Sequence, residues 1–125
     1  MKIAVVCVSV RANALHALDR SLQAQTRKTD LCVAVVESEA LGTVPASWAY
    51  VPFVSPPWYC PEMALNAGAD AAFEAGADVI ILMSDLTWVG PDTIEKMERY
   101  LNYVGPPLLS GVTCLHSDIQ GPCRR

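Results

Sequence analysis

Asp85 closes a short apolar run, Val79-Ile80-Ile81-Leu82-Met83-Ser84, and a turn at Gly90-Pro91-Asp92 follows. A carboxylate in that place can hold a divalent cation or accept hydrogen bonds from a hydroxyl-bearing ligand. Glu37 stands in the same relation to the run 31–36. Ser9, Val10 and Arg11 close a third run, and an arginine there suits a phosphate contact. His116 and Asp118 are the late groups with acid–base or metal-ligating chemistry. Each has a plainer alternative. Asp85 also suits a turn cap, Glu37 a solvated loop acid, Arg11 a surface charge and His116 an ordinary loop residue. Asn66 and Gly68 read first as packing residues, with the glycine letting a helix approach a sheet. Trp48, Trp58, Tyr59 and Trp88 read as core or rim aromatics. Of these, Trp58-Tyr59 is the best candidate to stack on a sugar, and Trp88 lies close to Asp85 in sequence.

The elements that must position these groups follow from hydrophobic patterning. Residues 2–10 form a continuous apolar strand, and residues 31–36 a second. Between them Ala14, Leu15, Leu18, Leu22 and Gln25 recur at helical spacing, and the helix ends near basic Arg27 and Lys28. Residues 48–54 suggest a short strand that Pro52 confines to an edge. Residues 61–75 form an Ala-rich helix with Met63, Ala67, Ala71 and Glu74 on successive turns. Pro61 suits its first turn and Gly76 its C-cap. Residues 79–84 read as a buried central strand, which would put Asp85 at its carboxyl end, where open α/β sheets bind ligands. A helix over 91–101 turns Ile94, Met97 and Leu101 inward, and residues 108–115 read as a last strand. Residues 115–125 form a polar tail. Strands alternating with helices predict one α/β domain over residues 1–125, with a mostly parallel sheet covered on both faces.

The bulk numbers narrow the function classes. The chain has 125 residues, 52% of them hydrophobic and 18% charged, which suits a folded domain. Its net charge of −4, with no basic cluster beyond Arg124-Arg125, argues against nucleic acid as a partner. No stretch approaches the roughly 20 apolar residues of a membrane span. Arg11, Asn13 and His16 follow the first apolar run at once, so it is taken as a strand rather than a signal peptide, and the protein as cytoplasmic. Five cysteines at irregular spacing fit neither a disulfide framework nor a zinc site. Cys7, Cys32 and Cys114 fall in strands and read as small buried hydrophobes. No glycine-rich phosphate motif of dinucleotide or P-loop type is present.

Several segments, in order, resemble family 2 glycosyltransferases of the GT-A fold. Ser21-Leu22-Gln23-Ala24-Gln25-Thr26 is similar to the SLxxQT end of that family's first helix. Val35-Val36-Glu37-Ser38 falls where the family has VVDDGS. Ala64-Leu65-Asn66-Ala67-Gly68 resembles ARNxG. Residues 76–85 resemble GEYILFLDAD, the strand that carries the DxD motif, and Pro91-Asp92-Thr93-Ile94 resembles the helix start beyond it. The resemblance covers residues 2–101.

It implies a Rossmann-like GT-A domain that transfers a sugar, with inversion, from a UDP- or GDP-sugar to a glycan, lipid or protein acceptor. It also implies donor contacts at Ser9, Val10, Arg11, Glu37, Asn66 and Ser84. Mn²⁺ or Mg²⁺ would lie at Asp85, and His116 and Asp118 are late candidates for acid–base or metal-binding roles. The departures are specific. Met83 stands in place of the first acid of DxD, and Glu37-Ser38-Glu39 replaces Asp-Asp-Gly. The acceptor-binding half of the family lies beyond the matched segments. A rival expectation is a degenerate domain of the same fold that binds a nucleotide or a protein partner without catalysis. Self-association would be a way to rebuild an acceptor wall.

Overall fold

The structure is a computed structural model, which describes residues 1–9, 13–37, 44–54 and 61–104. The described residues form an α/β fold: β1 (Ile3–Ser9), α1 (Ala14–Gln23), β2 (Leu31–Val36), β3 (Ala49–Pro52), α2 (Pro61–Glu74), β4 (Val79–Ser84) and α3 (Thr93–Val104). The four strands make one sheet in the order β3-β2-β1-β4, and every pair is parallel. The last strand expected over 108–115 lies outside the described residues, as do the tail and the 55–60 loop.

Side chains alternate across the sheet, so each strand feeds two cores. Ile3, Val5 and Cys7 of β1 join Cys32, Ala34, Val36 and Met83 against Leu15, Leu18 and Leu22 of α1 and Ile94 of α3. Ala4 and Val6 join Val33 and Val35 against Ala64 and Ala72 of α2. Thus α1 and α3 cover one face and α2 the other. The chain runs outward from β1 to β2 and β3, then returns past β1 to β4. Crossovers of one hand leaving in opposite directions must use opposite faces, as α1 and α2 do. Trp48 is buried in the first core, and its indole Nε1 donates to Asp19 Oδ1 at 2.8 Å.

Three points refine the expectations. The buried stripe of α2 is Ala64, Gly68 and Ala72, in keeping with the close helix–sheet approach expected at Gly68. The smallest side chains, not the largest, set this contact: a Cβ on Gly68 would lie 2.4 Å from Val6 Cγ1 and 2.6 Å from Val35 Cγ2. Second, β4 is the outer strand of the described sheet and β1 and β2 are its inner pair, while the strand expected over 108–115 lies outside the described residues. Val79, Ile80 and Ile81 are therefore only half-buried, and Leu82 is 53% exposed. An apolar run records a strand's tolerance for burial, not the number of its neighbours. Third, α3 begins at Thr93, because Pro91-Asp92 forms the turn before it, and it continues to Val104.

The amino ends of the inner strands are pinned by acids. Asp30 Oδ2 accepts from Ile3 N at 2.8 Å, and Asp78 Oδ2 accepts from Lys2 N at 2.6 Å. Arg27 donates to Asp30 Oδ2 at 2.8 Å, to Glu98 Oε1 at 3.0 Å and to the Met1 carbonyl at 2.8 Å, joining α3 to this end. α2 ends in a Schellman motif, as the expected C-cap requires. Gly76 has φ +85°, its N–H donates to Phe73 O at 2.9 Å, and Ala77 N donates to Ala72 O at 3.1 Å.

Candidate functional site at the carboxyl edge of the sheet

All four strands point the same way, so the ends of β1, β2 and β4 share one edge. Ser9 pairs with Val36, and Val8 pairs with Ser84. Ser9, Glu37 and Asp85 therefore stand at nearly one level on adjacent strand ends. Strand order reverses between β1 and β4, where the chain leaves in one direction through β2 and in the other through β4. A doubly wound sheet opens its ligand crevice at that switch point.

Ser9 and Asp85 meet there. The Ser9 hydroxyl donates to Asp85 Oδ2 at 2.8 Å across 76 residues of sequence, and both side chains are buried, Asp85 to 6% exposure. Beneath them on the α1 face lies Cys7. Burial pushes its thiol up to about 12, with the Asp85 carboxylate adding to the shift and Cys32 contributing after it. Cys7 is thus a neutral floor for the site rather than a nucleophile.

Ser84, the last residue of β4, shapes the turn. Leu86 N donates to Ser84 Oγ at 3.2 Å, and Thr87 N donates to Ser84 O at 3.0 Å. Glu37 is half-buried directly beyond β2. Asn66 lies on the exposed stripe of α2 with Glu62, Asp70 and Phe73, turned away from the sheet. Val10, Arg11, His116 and Asp118 lie outside the described residues, as do Trp58 and Tyr59. The loop after β1 resumes at Asn13, which has φ 65°, a left-handed conformation that asparagine tolerates better than most residues.

Among the described residues no three His, Cys, Asp or Glu side chains are grouped so as to hold a metal ion. Asp85 offers one carboxylate. That fits a hard cation carried mainly by diphosphate oxygens and water, as Mg²⁺ commonly is. Met83 explains the shortfall. Paired with Cys7, it points into the α1-side core and is buried, two residues before Asp85.

Gln25 is the residue that sequence reasoning undervalued. It lies just beyond α1 and is 2% exposed. Its Nε2 donates to Gly90 O at 2.6 Å, to Ser21 O at 3.2 Å and to Val89 O at 3.4 Å, and its Oε1 accepts from Ile94 N at 3.0 Å. The signal was the SLxxQT-like segment, where a glutamine recurs beside the last apolar helix position.

The fold and this edge define a doubly wound α/β domain with a buried acid at its switch point. No protein-family model matches the chain, and no curated protein matches it in sequence. Among the described residues, no helix is long and apolar enough to cross a membrane.

Proposed function

We propose that the chain is a glycosyltransferase of GT-A type that binds a nucleotide-diphosphate sugar over the carboxyl edge of β1, β2 and β4. The observation that carries this reading is the Ser9–Asp85 hydrogen bond, which puts a buried carboxylate at the switch point of a doubly wound sheet. In this reading Glu37 accepts hydrogen bonds from the ribose or base, and Arg11 and Val10 are the further donor contacts that the resemblance implies. Asp85 meets the diphosphate end. A Mg²⁺ or Mn²⁺ ion held there would neutralise charge developing on the leaving diphosphate. The acceptor hydroxyl attacks the anomeric carbon as the bond to the diphosphate breaks, and its proton passes to a base for which His116 and Asp118 are the candidates. The acceptor is a glycan, lipid or protein hydroxyl.

A second reading has support of its own. With Met83 turned into the core and no group of three metal-ligating side chains among the described residues, the domain would bind a nucleotide or a protein partner without transferring a sugar. Hydrolysis of the donor sugar in the presence of Mn²⁺ separates the two, since a binding-only domain releases none.

The test is calorimetric titration of UDP, GDP and their sugar conjugates with and without Mn²⁺. One nucleotide should bind in a metal-dependent way. Asp85→Asn keeps an oxygen for Ser9 and removes the charge; it should lose on the order of tenfold or more in metal-dependent affinity, the loss expected for a charge-assisted contact. Unchanged affinity in that variant, or no binding by the wild type, overturns the proposal.

A further inference from the structure

We infer that Gln25 is a positioning residue, fixing the loop between β4 and α3 so that Asp85 is presented to its ligand already in place. The inference deepens the nucleotide-binding reading above and rests on it for the identity of the ligand.

The loop runs from Asp85 to Gly90 and is held at both ends. At its start the turn bonds to Ser84 and the Ser9–Asp85 bond fix the first residues. At its end Gln25 takes hold of two consecutive carbonyls, Val89 O and Gly90 O, while Val89 itself is buried. Next to Gln25, Thr26 N donates to Pro91 O at 2.7 Å. The same Gln25 side chain reaches the second residue of α3. Ile94 N is one of the amides at a helix start with no partner in its own helix, and Gln25 Oε1 supplies one. One amide group therefore ties the end of α1, the end of the loop and the start of α3 together.

The consequence shows between the two clamps. Leu86 and Trp88 are 65% and 59% exposed. Their exposure does not come from a slack loop, because the loop is anchored on either side of them. They are presented from a short segment whose ends cannot drift. A site that need not be ordered when ligand arrives binds more tightly for the same contacts. No other amino acid supplies both halves of this clamp at this length. Glutamate keeps the acceptor for Ile94 but turns an oxygen towards the two carbonyls. Methionine fills the space and makes none of the bonds.

The experiment uses the full chain labelled with 5-fluorotryptophan. The chain has three tryptophans. Trp48, buried in the core, reports the fold, and Trp88 reports the loop; Trp88→Phe assigns its ¹⁹F resonance. Gln25→Glu and Gln25→Met are compared with Ala72→Gly, which weakens packing on the opposite face of the sheet. The expected result is a shifted or broadened Trp88 resonance with an unchanged Trp48 resonance in both Gln25 variants. Affinity for UDP or GDP with Mn²⁺ should fall on the order of tenfold, as a displaced contact group predicts. Ala72→Gly should move neither. A Trp88 signal and a nucleotide affinity unchanged in both Gln25 variants would overturn the inference, as would equal effects in Ala72→Gly. If the wild type binds no nucleotide, the donor-binding reading fails, and the inference about Asp85 presentation falls with it. If the wild type binds and the Gln25 variants bind equally well, only the role of Gln25 fails.

Discussion

Gly68→Ala should destabilise this protein, although alanine is the better helix former. Replacing glycine by alanine in a helix interior normally gains about 1 kcal/mol. Here the new methyl would sit 2.4 Å from Val6 Cγ1 and 2.6 Å from Val35 Cγ2. Ordinary carbon–carbon contact is about 3.5–4.0 Å, so both approaches are roughly 1 Å too close. The two valines cannot turn aside easily. They are β-branched, stand on the inner strands β1 and β2, and are buried in the α2-side core. Either α2 lifts from the sheet or both valines leave their rotamers. Overpacking of this kind costs about 1–3 kcal/mol, and two simultaneous clashes place it at the upper end. The net loss is then about 2 kcal/mol, or roughly 8 °C in melting temperature for a chain of this length. Thermal unfolding followed by far-UV circular dichroism measures it. Trimming the nearer obstruction gives an internal check: Val6→Ala should cost less in the Gly68→Ala background than in the wild type, by about 0.5 kcal/mol or more. An unchanged or raised melting temperature in Gly68→Ala would refute the close-approach account and make Gly68 an ordinary helical glycine.

Two further outcomes follow from groups away from that contact. Cys7 and Cys32 are buried free thiols, both pushed upward by burial, Cys7 to about 12. Iodoacetamide at pH 8 should therefore leave both unmodified in the native protein and label both in denaturant, as peptide mass mapping can show; native labelling of Cys7 would contradict its place beneath Asp85. Asp30 is held below the usual carboxylate range, first by the Ile3 amide and then by Arg27. A depressed folded value contributes stability that is complete above the unfolded value, about 3.9, and is lost as pH falls through the folded one. Asp30→Asn should thus be less stable than wild type at pH 7, with the gap closing as pH drops below about 4. A gap that stays constant across that range would show that the charge of Asp30 contributes nothing.

The inner strands were legible because their signal is local. Residues 3–8 and 31–36 are unbroken apolar runs, and Pro52 marked a strand at the edge of the described sheet. What was not legible depends on contacts far apart in sequence. The place of β4 beside β1 in the described sheet depends on which strands pair, and its composition resembles that of β1. Gly68 was legible as the glycine that lets α2 approach the sheet, but the two valines it meets were not, because they stand on β1 and β2 far away in sequence. Ser9 and Asp85 were each singled out by their place at a strand end, but the bond between them spans 76 residues and leaves no trace in either segment. Gln25 is the same case more sharply. Its partners at Val89, Gly90 and Ile94 lie 64, 65 and 69 residues away, so the sequence displays the glutamine but not its work.

The acids at the two ends of the sheet also bear on where a ligand would go. Asp30 and Asp78 stand just before β2 and β4 and accept from the backbone amides of Ile3 and Lys2. A ligand could take either carboxylate only by stripping a backbone amide that begins the sheet, so these acids are committed to the fold. Asp85 stands seven residues beyond Asp78, at the other end of the same strand, and its bond to Ser9 is to a hydroxyl. A ribose hydroxyl or a hydrated cation offers the same kind of partner as the Ser9 hydroxyl, so exchange of that one bond leaves the β1–β4 ladder intact. The chemistry of these bonds, more than the presence of acids at both ends, directs the functional reading to the carboxyl edge.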